Sequence, residues 1–461
     1  MIEGAPINVL DYGADPTGVA DSLTAMQAAH NTGQIVYYPA GTYRFSGQLT
    51  IALGGIIGDG KTLTNLNAID TSSNAAIKYT GAYTTLAGGL ISGPPTFHDF
   101  TLNGNLLKTT GAGLQFESAT NEVSYADLRG VLVSYFPINI DFVKASLWKM
   151  IGCDILGHTI AGVRVINTFD NDAGDAVIMG CVISTTVVTA DNILHFSSGG
   201  LKIIGNKLFG GRHGYSMQYT GTSNTSVLII ANNSIENFSG QAITFAKISA
   251  GLTEFLNVVI SGNEISISLA TTPALLISND ADGWLNVVNI TGNILQLPGV
   301  TNSFGVALTG VTTLTISGNT FRGNGLNSTA IALTSCVDAQ IGTNTYGNIA
   351  VPYTLITQGT NNTVAFDSQS GAATGVLNTT ATTLFALPIT SALYEVYAYL
   401  AGGGITYQSA VRIASDGTTL AIVGGDAAVA GMLITISGLN IRATQNSGST
   451  QTVGWAWRRI A

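Results

Sequence analysis

The chain has 461 residues, a formal net charge of −9, 46% hydrophobic residues and only 9% charged ones. An acidic balance excludes the basic face that nucleic acid needs, and no apolar run approaches the roughly 18 residues of a spanning helix, so no membrane insertion is expected. Charge this sparse, against about 25% in ordinary soluble domains, leaves a surface of Asn, Thr, Ser and Gly, and three cysteines cannot make a disulfide framework.

In chain order, the first residues carry neither a basic nor an apolar leader, so no signal peptide is expected. Residues 21–30 form the one convincing helix, N-capped by Asp21 or Ser22 and stopped by Gly33. Leu23 and Met26 would plug the end of the core that follows, so residues 1–60 are expected to be a cap.

From residue 61 to residue 366 short apolar runs alternate with Gly, Asn and Ser. A segment of the form apolar–apolar–small–Gly–Asn recurs, with its asparagine at Asn206, Asn233, Asn263, Asn293, Asn319 and Asn344, in steps of 27, 30, 30, 26 and 25 residues. A near-constant step with insertions between copies is the mark of a solenoid, in which each coil buries its face only by stacking on the next. The asparagines would form a ladder at one corner, and Cys153 and Cys181 take the same place in earlier coils as stacked buried thiols. A second strand recurs beside it, and alternation makes its outward column Asn139, Arg164, His195, Gln218, Thr244, Leu276, Ala307 and Ala332. That column is polar in the middle coils and apolar later, which suggests a binding face followed by a packing surface.

Residues 367–376 read as a linker of small and polar residues. Residues 377–461 alternate in longer strands and are expected to form a β-sandwich that closes a trimer or binds carbohydrate, with Trp455 and Trp457 as core residues or sugar platforms.

A β-helix has no internal pocket, so chemistry must sit on outward residues and stacked loops. One loop column gathers His158, Asp191, Arg212, His213, Tyr215 and Glu236, with His195 and Gln218 beside it. Asp191 and Glu236 are the expected catalytic carboxyl pair, assisted by His213 and Arg212, since glycoside hydrolysis needs two carboxyls roughly 5 Å or 6.5–9.5 Å apart. On a uronic-acid glycan the same set supports β-elimination, with Arg212 neutralising the carboxylate and His213 or Tyr215 as base and acid. Lys207, His195, Tyr215, Gln218 and Trp284 are expected to touch substrate. A rival carboxyl set is Glu254 with Asp280 or Asp282, near Trp284. The Asp280-Ala281-Asp282-Gly283 turn resembles part of a calcium loop but lacks its closing glutamate, so no metal and no cofactor is expected.

The N-terminal motifs also carry a resemblance. Ile7-Asn8-Val9-Leu10-Asp11-Tyr12-Gly13-Ala14-Asp15-Pro16-Thr17-Gly18, then Val36-Tyr37-Tyr38-Pro39-Ala40-Gly41-Thr42-Tyr43 and Ile57-Gly58-Asp59-Gly60, closely resemble the opening of the pectate-lyase-like β-helix superfamily. Within it the chain looks most like the tailspike depolymerases of tailed bacteriophages. The resemblance implies an all-β fold, a right-handed parallel β-helix, and a homotrimer with its helices side by side. It further implies a virion location, attachment to a phage tail or baseplate adaptor, and degradation of a bacterial surface polysaccharide (O-antigen or capsule). It carries over no catalytic residue. A non-catalytic receptor-binding spike uses the same surface and is the reading from another class.

Overall fold

The computed structural model describes residues 5–81, 94–119, 122–143, 145–166, 176–196, 200–219, 226–247, 256–267, 273–278, 285–297, 304–323 and 329–349, with the strand segments beyond residue 350. The chain divides into two compact units, residues 1–340 with 349–363, and residues 341–348 with 364–461.

The first unit is a right-handed parallel β-helix. Each coil contributes one strand to each of three parallel sheets. The first sheet runs through Lys149–Ile151, Ala176–Met179, Leu201–Ile204, Ser226–Ala231 and Leu256–Ser261. The second runs through Asp154–Leu156, Val182–Ser184, Lys207–Phe209, Ser234–Phe238 and Glu264–Ile267. The third runs through Ala112–Phe116, Ile138–Phe142, Ala161–Val165, Asp191–His195, His213–Tyr219 and Ile243–Lys247. Inward residues such as Ile178, Ile183, Ile193, Ile203, Leu208 and Met217 are buried and form one continuous core. No helix among the described residues is long and apolar enough to cross a membrane, which says nothing of a β-barrel.

The asparagine ladder stands at the two-residue corner between the first and second sheets. Asn263 Oδ1 accepts from Asn233 N and Nδ2, both at 2.9 Å, while Asn263 Nδ2 donates to Ile230 O at 2.8 Å and to Asn293 Oδ1 at 2.9 Å. The residue before each rung must take a left-handed backbone, at φ 65° for Gly205, 64° for Gly262 and 66° for Gly292, which is where glycine costs least. Asn232 (φ 56°) fills the same place, as asparagine tolerates. Cys153 and Cys181 continue the column as free, buried thiols.

The cap helix spans Leu23–His30, with Met26 and Ala29 buried against the first coils. The motif acids build turns here. Asp15 accepts from Thr17 N at 2.9 Å, Val19 N at 3.0 Å and Ala20 N at 2.7 Å, and Asp59 accepts from Tyr37 Oη at 2.6 Å and Ala40 N at 2.7 Å.

In the second unit, Gln369–Val376 pairs antiparallel with Gln451–Arg459, which pairs in turn with Ser391–Ala401. The stretch expected as a linker is therefore mostly an edge strand. Small polar residues lack a hydrophobic alternation, but their backbone pairs with a long neighbour all the same. Gln408–Asp416 and Leu420–Asp426 complete this sheet, and Thr382–Ala386, Asn440–Gln445, Met432–Ser437 and Ala428–Val429 form another. Tyr394, Val396, Val411 and Ile413 from one sheet and Ile434 and Ile441 from the other are buried. The side chains of Trp455 and Trp457 lie outside the described residues.

Candidate functional site

Asp191, Arg212 and His213 meet at the turn that leads from the second sheet into the third. Asp191 opens its third-sheet strand and pairs with His213 one coil on. Arg212 Nε donates to Asp191 Oδ1 at 2.9 Å and its Nη2 donates to Oδ2 at 2.6 Å, a two-pronged clamp. His213 Nδ1 lies 2.9 Å from Asp191 Oδ1, and its Nε2 lies 2.9 Å from Gln241 Oε1, on the following coil. Burial by itself would raise Asp191, but the hydrogen bonds from His213 and Arg212 outweigh it and hold the carboxyl below its ordinary range. The Asp191 side chain is fully buried while Arg212 is 43% exposed and His213 12%, so the surface presents the cation and the imidazole edge.

The arrangement repeats on the outward face of the third sheet. Arg164 clamps Asp141 through Nε at 2.8 Å and Nη2 at 2.7 Å, and Gln115 Nε2 adds a bond to Asp141 Oδ2 at 2.9 Å. Again the carboxylate is buried and the guanidinium is the exposed partner. Lys78 stands in the same column, 2.8 Å from Glu117. Four consecutive coils thus place Lys78, Gln115, Asp141 and Arg164 in one row.

The true outward column is Gln115, Asp141, Arg164, Leu194, Ser216, Thr244, Leu276, Ala307 and Ala332. Arg164, Thr244 and the apolar members stand where expected, and three do not. Asn139 is buried, accepting from Phe136 N at 3.1 Å and donating to Leu156 O at 2.9 Å. His195 points inward, because Ile193 and His195 follow Val163 and Val165 in register, and Leu194 takes the outward place. Gln218 is outward but one outward step along the strand, opposite Ala246.

His195 and Tyr215 are thereby corrected as substrate contacts. Both are buried, and His195 Nδ1 lies 2.8 Å from Tyr215 Oη. The core holds this pair because each polar tip satisfies the other. Asp191 and Glu236 are also not a carboxyl pair. Glu236 lies on the second sheet, two coils beyond Asp191, and accepts from Ser234 Oγ. The turns between the two sheets vary in length, so a loop position read from the sequence became a strand position. His158 is buried beside Asn192, and burial pulls it down to about 4. Lys207 is exposed on the second sheet, 5.7 Å from the centre of the Phe209 ring. Glu254, Asp280, Asp282 and Trp284 lie outside the described residues. Among the described residues no three His, Cys, Asp or Glu side chains gather as metal ligands.

Asp141 was missing from the expected site. Its signal was the alternation of Ile138, Ile140 and Phe142, which puts residue 141 on the outward side as surely as residue 139.

Residues 6–120 match the family described as rhamnogalacturonase A/epimerase, pectate lyase-like. No curated protein sequence matches the chain. Among solved structures, the A-module of the mannuronan C-5 epimerase AlgE4 of Azotobacter vinelandii is similar at 15% identity and a TM-score of 0.52, covering 78% of this chain and 100% of that one. PfbA, a surface adhesin of Streptococcus pneumoniae, is similar at 13% identity and a TM-score of 0.52, covering 76% and 93%. The tailspike gp49 of Acinetobacter baumannii bacteriophage Fri1, a capsular polysaccharide depolymerase, aligns at 11% identity and a TM-score of 0.46, covering 100% and 86%. At these identities the likeness concerns the fold.

Proposed function

We propose that this chain, a pectate-lyase-like β-helix with the matching N-terminal cap, is a phage-tailspike depolymerase that binds and cleaves an acidic bacterial surface polysaccharide. The cap motifs support the pectate-lyase-like superfamily, and the tailspike reading, with its homotrimer carried on the virion by an adaptor, rests on the likeness of the whole sequence to tailspike depolymerases. The observation that carries the chemistry is the Asp191 carboxylate, which holds Arg212 and His213 together while Arg212 stays 43% exposed and His213 12%. In a chain of net charge −9 with only 17 Lys and Arg, partly exposed cations at Lys78, Arg164 and Arg212 on one flank favour an anionic sugar.

The reaction this set fits is β-elimination. Arg212 neutralises the uronate carboxylate and so acidifies the adjacent C–H. Asp191 orients His213 through Nδ1, so that Nε2, released from Gln241, takes that proton. The glycosidic C–O bond on the neighbouring carbon breaks, a C=C bond forms, and the departing oxygen takes a proton from solvent water. Lys207 and Gln218 are proposed to guide the chain.

Incubation with purified acidic capsule or O-antigen tests this. Chain shortening with an absorbance rise at about 235 nm is the expected result, and Arg212→Ala and His213→Gln should each lower the rate by at least about 100-fold. Full activity in Arg212→Ala would sink the assignment.

A second reading rests on Glu117 as the proton donor, with Asp141, held by Arg164, as the base that orients water. The two carboxyls face the same way, one coil and two residues apart, roughly 8 Å by sheet geometry, within the range of about 6.5–9.5 Å used by inverting hydrolases. New reducing ends without the absorbance rise, lost in Glu117→Gln, would select it.

A further inference from the structure

On the first sheet, away from the site above, the same turn occurs twice in stacked coils. Ser124-Tyr125-Ala126-Asp127 lies under Ser146-Leu147-Trp148-Lys149, joined by a 2.9 Å contact between Ser124 Oγ and Ser146 Oγ and by Tyr125 N donating to Ser146 O at 3.1 Å. Asp127 and Lys149 are register partners. In both turns the third-from-last position has a left-handed backbone, φ 64° at Tyr125 and 56° at Leu147. The corners elsewhere give this conformation mostly to Gly or Asn. Bulky side chains there cost on the order of 1–3 kcal/mol, yet two stand one above the other, 36% and 38% exposed. Both side chains therefore stand at the surface, one directly above the other.

They present the wall of a cavity of about 300 Å³, lined by Pro94, Tyr125, Leu147, Asp127 and Lys149. The Asp127 carboxylate is fixed by Arg129 Nε at 2.9 Å and faces Lys149 Nζ at 3.6 Å and His98 Nε2 at 3.8 Å. An aromatic ring and an aliphatic side chain on one wall suit the C–H face of a pyranose. A fixed carboxylate accepts from its hydroxyls, and an ammonium that is 45% exposed donates to its oxygens. We infer that this cavity is a second carbohydrate subsite, holding one glycosyl unit on a face of the β-helix separate from the third-sheet site. The inference rests on the reading that glycans are the ligands of this protein. Its role is retention, keeping the polymer attached while bonds are cut elsewhere.

Saturation-transfer NMR on the full chain tests it, with the methyl glycosides of glucose, galactose, mannose, N-acetylglucosamine and glucuronic acid as probes. At least one should receive magnetisation, and the transfer should fall about fivefold or more in Tyr125→Gly and in Lys149→Met while persisting in Tyr125→Phe. Glycine relieves the left-handed backbone, so Tyr125→Gly should melt no lower than the parent, and Lys149→Met at the rim gives an independent variant. Transfer unchanged in either variant, or absent for every glycoside, would overturn the subsite. Arg212→Ala should leave the transfer to the neutral glycosides intact and lower cleavage by at least about 100-fold, whereas Tyr125→Gly should leave cleavage of dissolved polymer within about twofold. Failure of the subsite and failure of the cleavage reading are thereby told apart.

Discussion

Asn263→Ala, in the middle of the ladder, is expected to destabilise the β-helix by about 4 kcal/mol. The side chain is buried and makes four hydrogen bonds. Two of its partners keep other bonds: Asn233 Nδ2 still donates to Ile203 O, and Asn293 Oδ1 still accepts from Asn263 N. The other two, Asn233 N and Ile230 O, lose a polar side-chain partner in the interior, and each orphaned group costs about 1–3 kcal/mol. The bonds also run in series, so the loss reaches the coils on both sides. Coils touch only their neighbours, so the damage should be local at first, seen as faster amide exchange in residues 228–235 and 258–265 before global unfolding. Equal denaturation midpoints for Asn263→Ala and the parent would refute the ladder as a main source of stability.

The ladder was legible because solenoid physics repeats itself. Every coil has to turn the same corner, so Gly-Asn returns at a nearly fixed step and the fold can be read from spacing alone. The outward column was harder. In Leu194-His195-Phe196 the apolar flanks suggested an outward histidine, yet Ile193 sets the phase and the imidazole enters the core because Tyr215 awaits it there. A one-residue slip in phase moves every side chain to the other face. Nothing in the local sequence announces a polar partner 20 residues away.

The cluster at Asp191 was partly legible for a different reason. Charged residues are so scarce that Asp191, Arg212 and His213 on successive coils stand out, and stacking forces them together. What spacing could not show was the division of labour. Asp191 looked like half of a catalytic pair, but a carboxylate with both oxygens held by an arginine and a histidine is a poor proton donor and a good orienting group. The same clamp at Asp141 and Arg164, equally open to reading from alternation, makes it a recurring device of this flank: buried acid, exposed base.

The second large effect is an acid-induced loss of stability set by histidines rather than carboxylates. His30, His158 and His195 are all buried, and burial lowers them from 6.5 to about 3, 4 and 4. His30 Nε2 and His195 Nδ1 each have a tyrosine hydroxyl partner, at 3.0 and 2.8 Å, which suits a neutral ring. Below pH 6.5 the unfolded chain binds three protons that the folded chain refuses, so stability present at neutral pH falls as the pH drops from about 6.5 to 4. Each unit of difference is worth about 1.4 kcal/mol, which gives about 3 kcal/mol for His195 alone and on the order of 10 kcal/mol for the three together. Asp70, Asp127 and Asp191, all held below their ordinary range, act in the same direction but only once the pH falls below 3.8. Urea unfolding of the intact protein at pH 7.5, 6.5, 5.5 and 4.5 should therefore show a steady decline that starts well above the carboxylate range. His195→Gln keeps a group able to bond the Tyr215 hydroxyl but cannot be protonated, so it should remove about a third of the slope between pH 6 and 4.5. A midpoint that stays constant down to pH 4.5 would mean that these imidazoles titrate freely, and that the core around them opens far more readily than its packing implies.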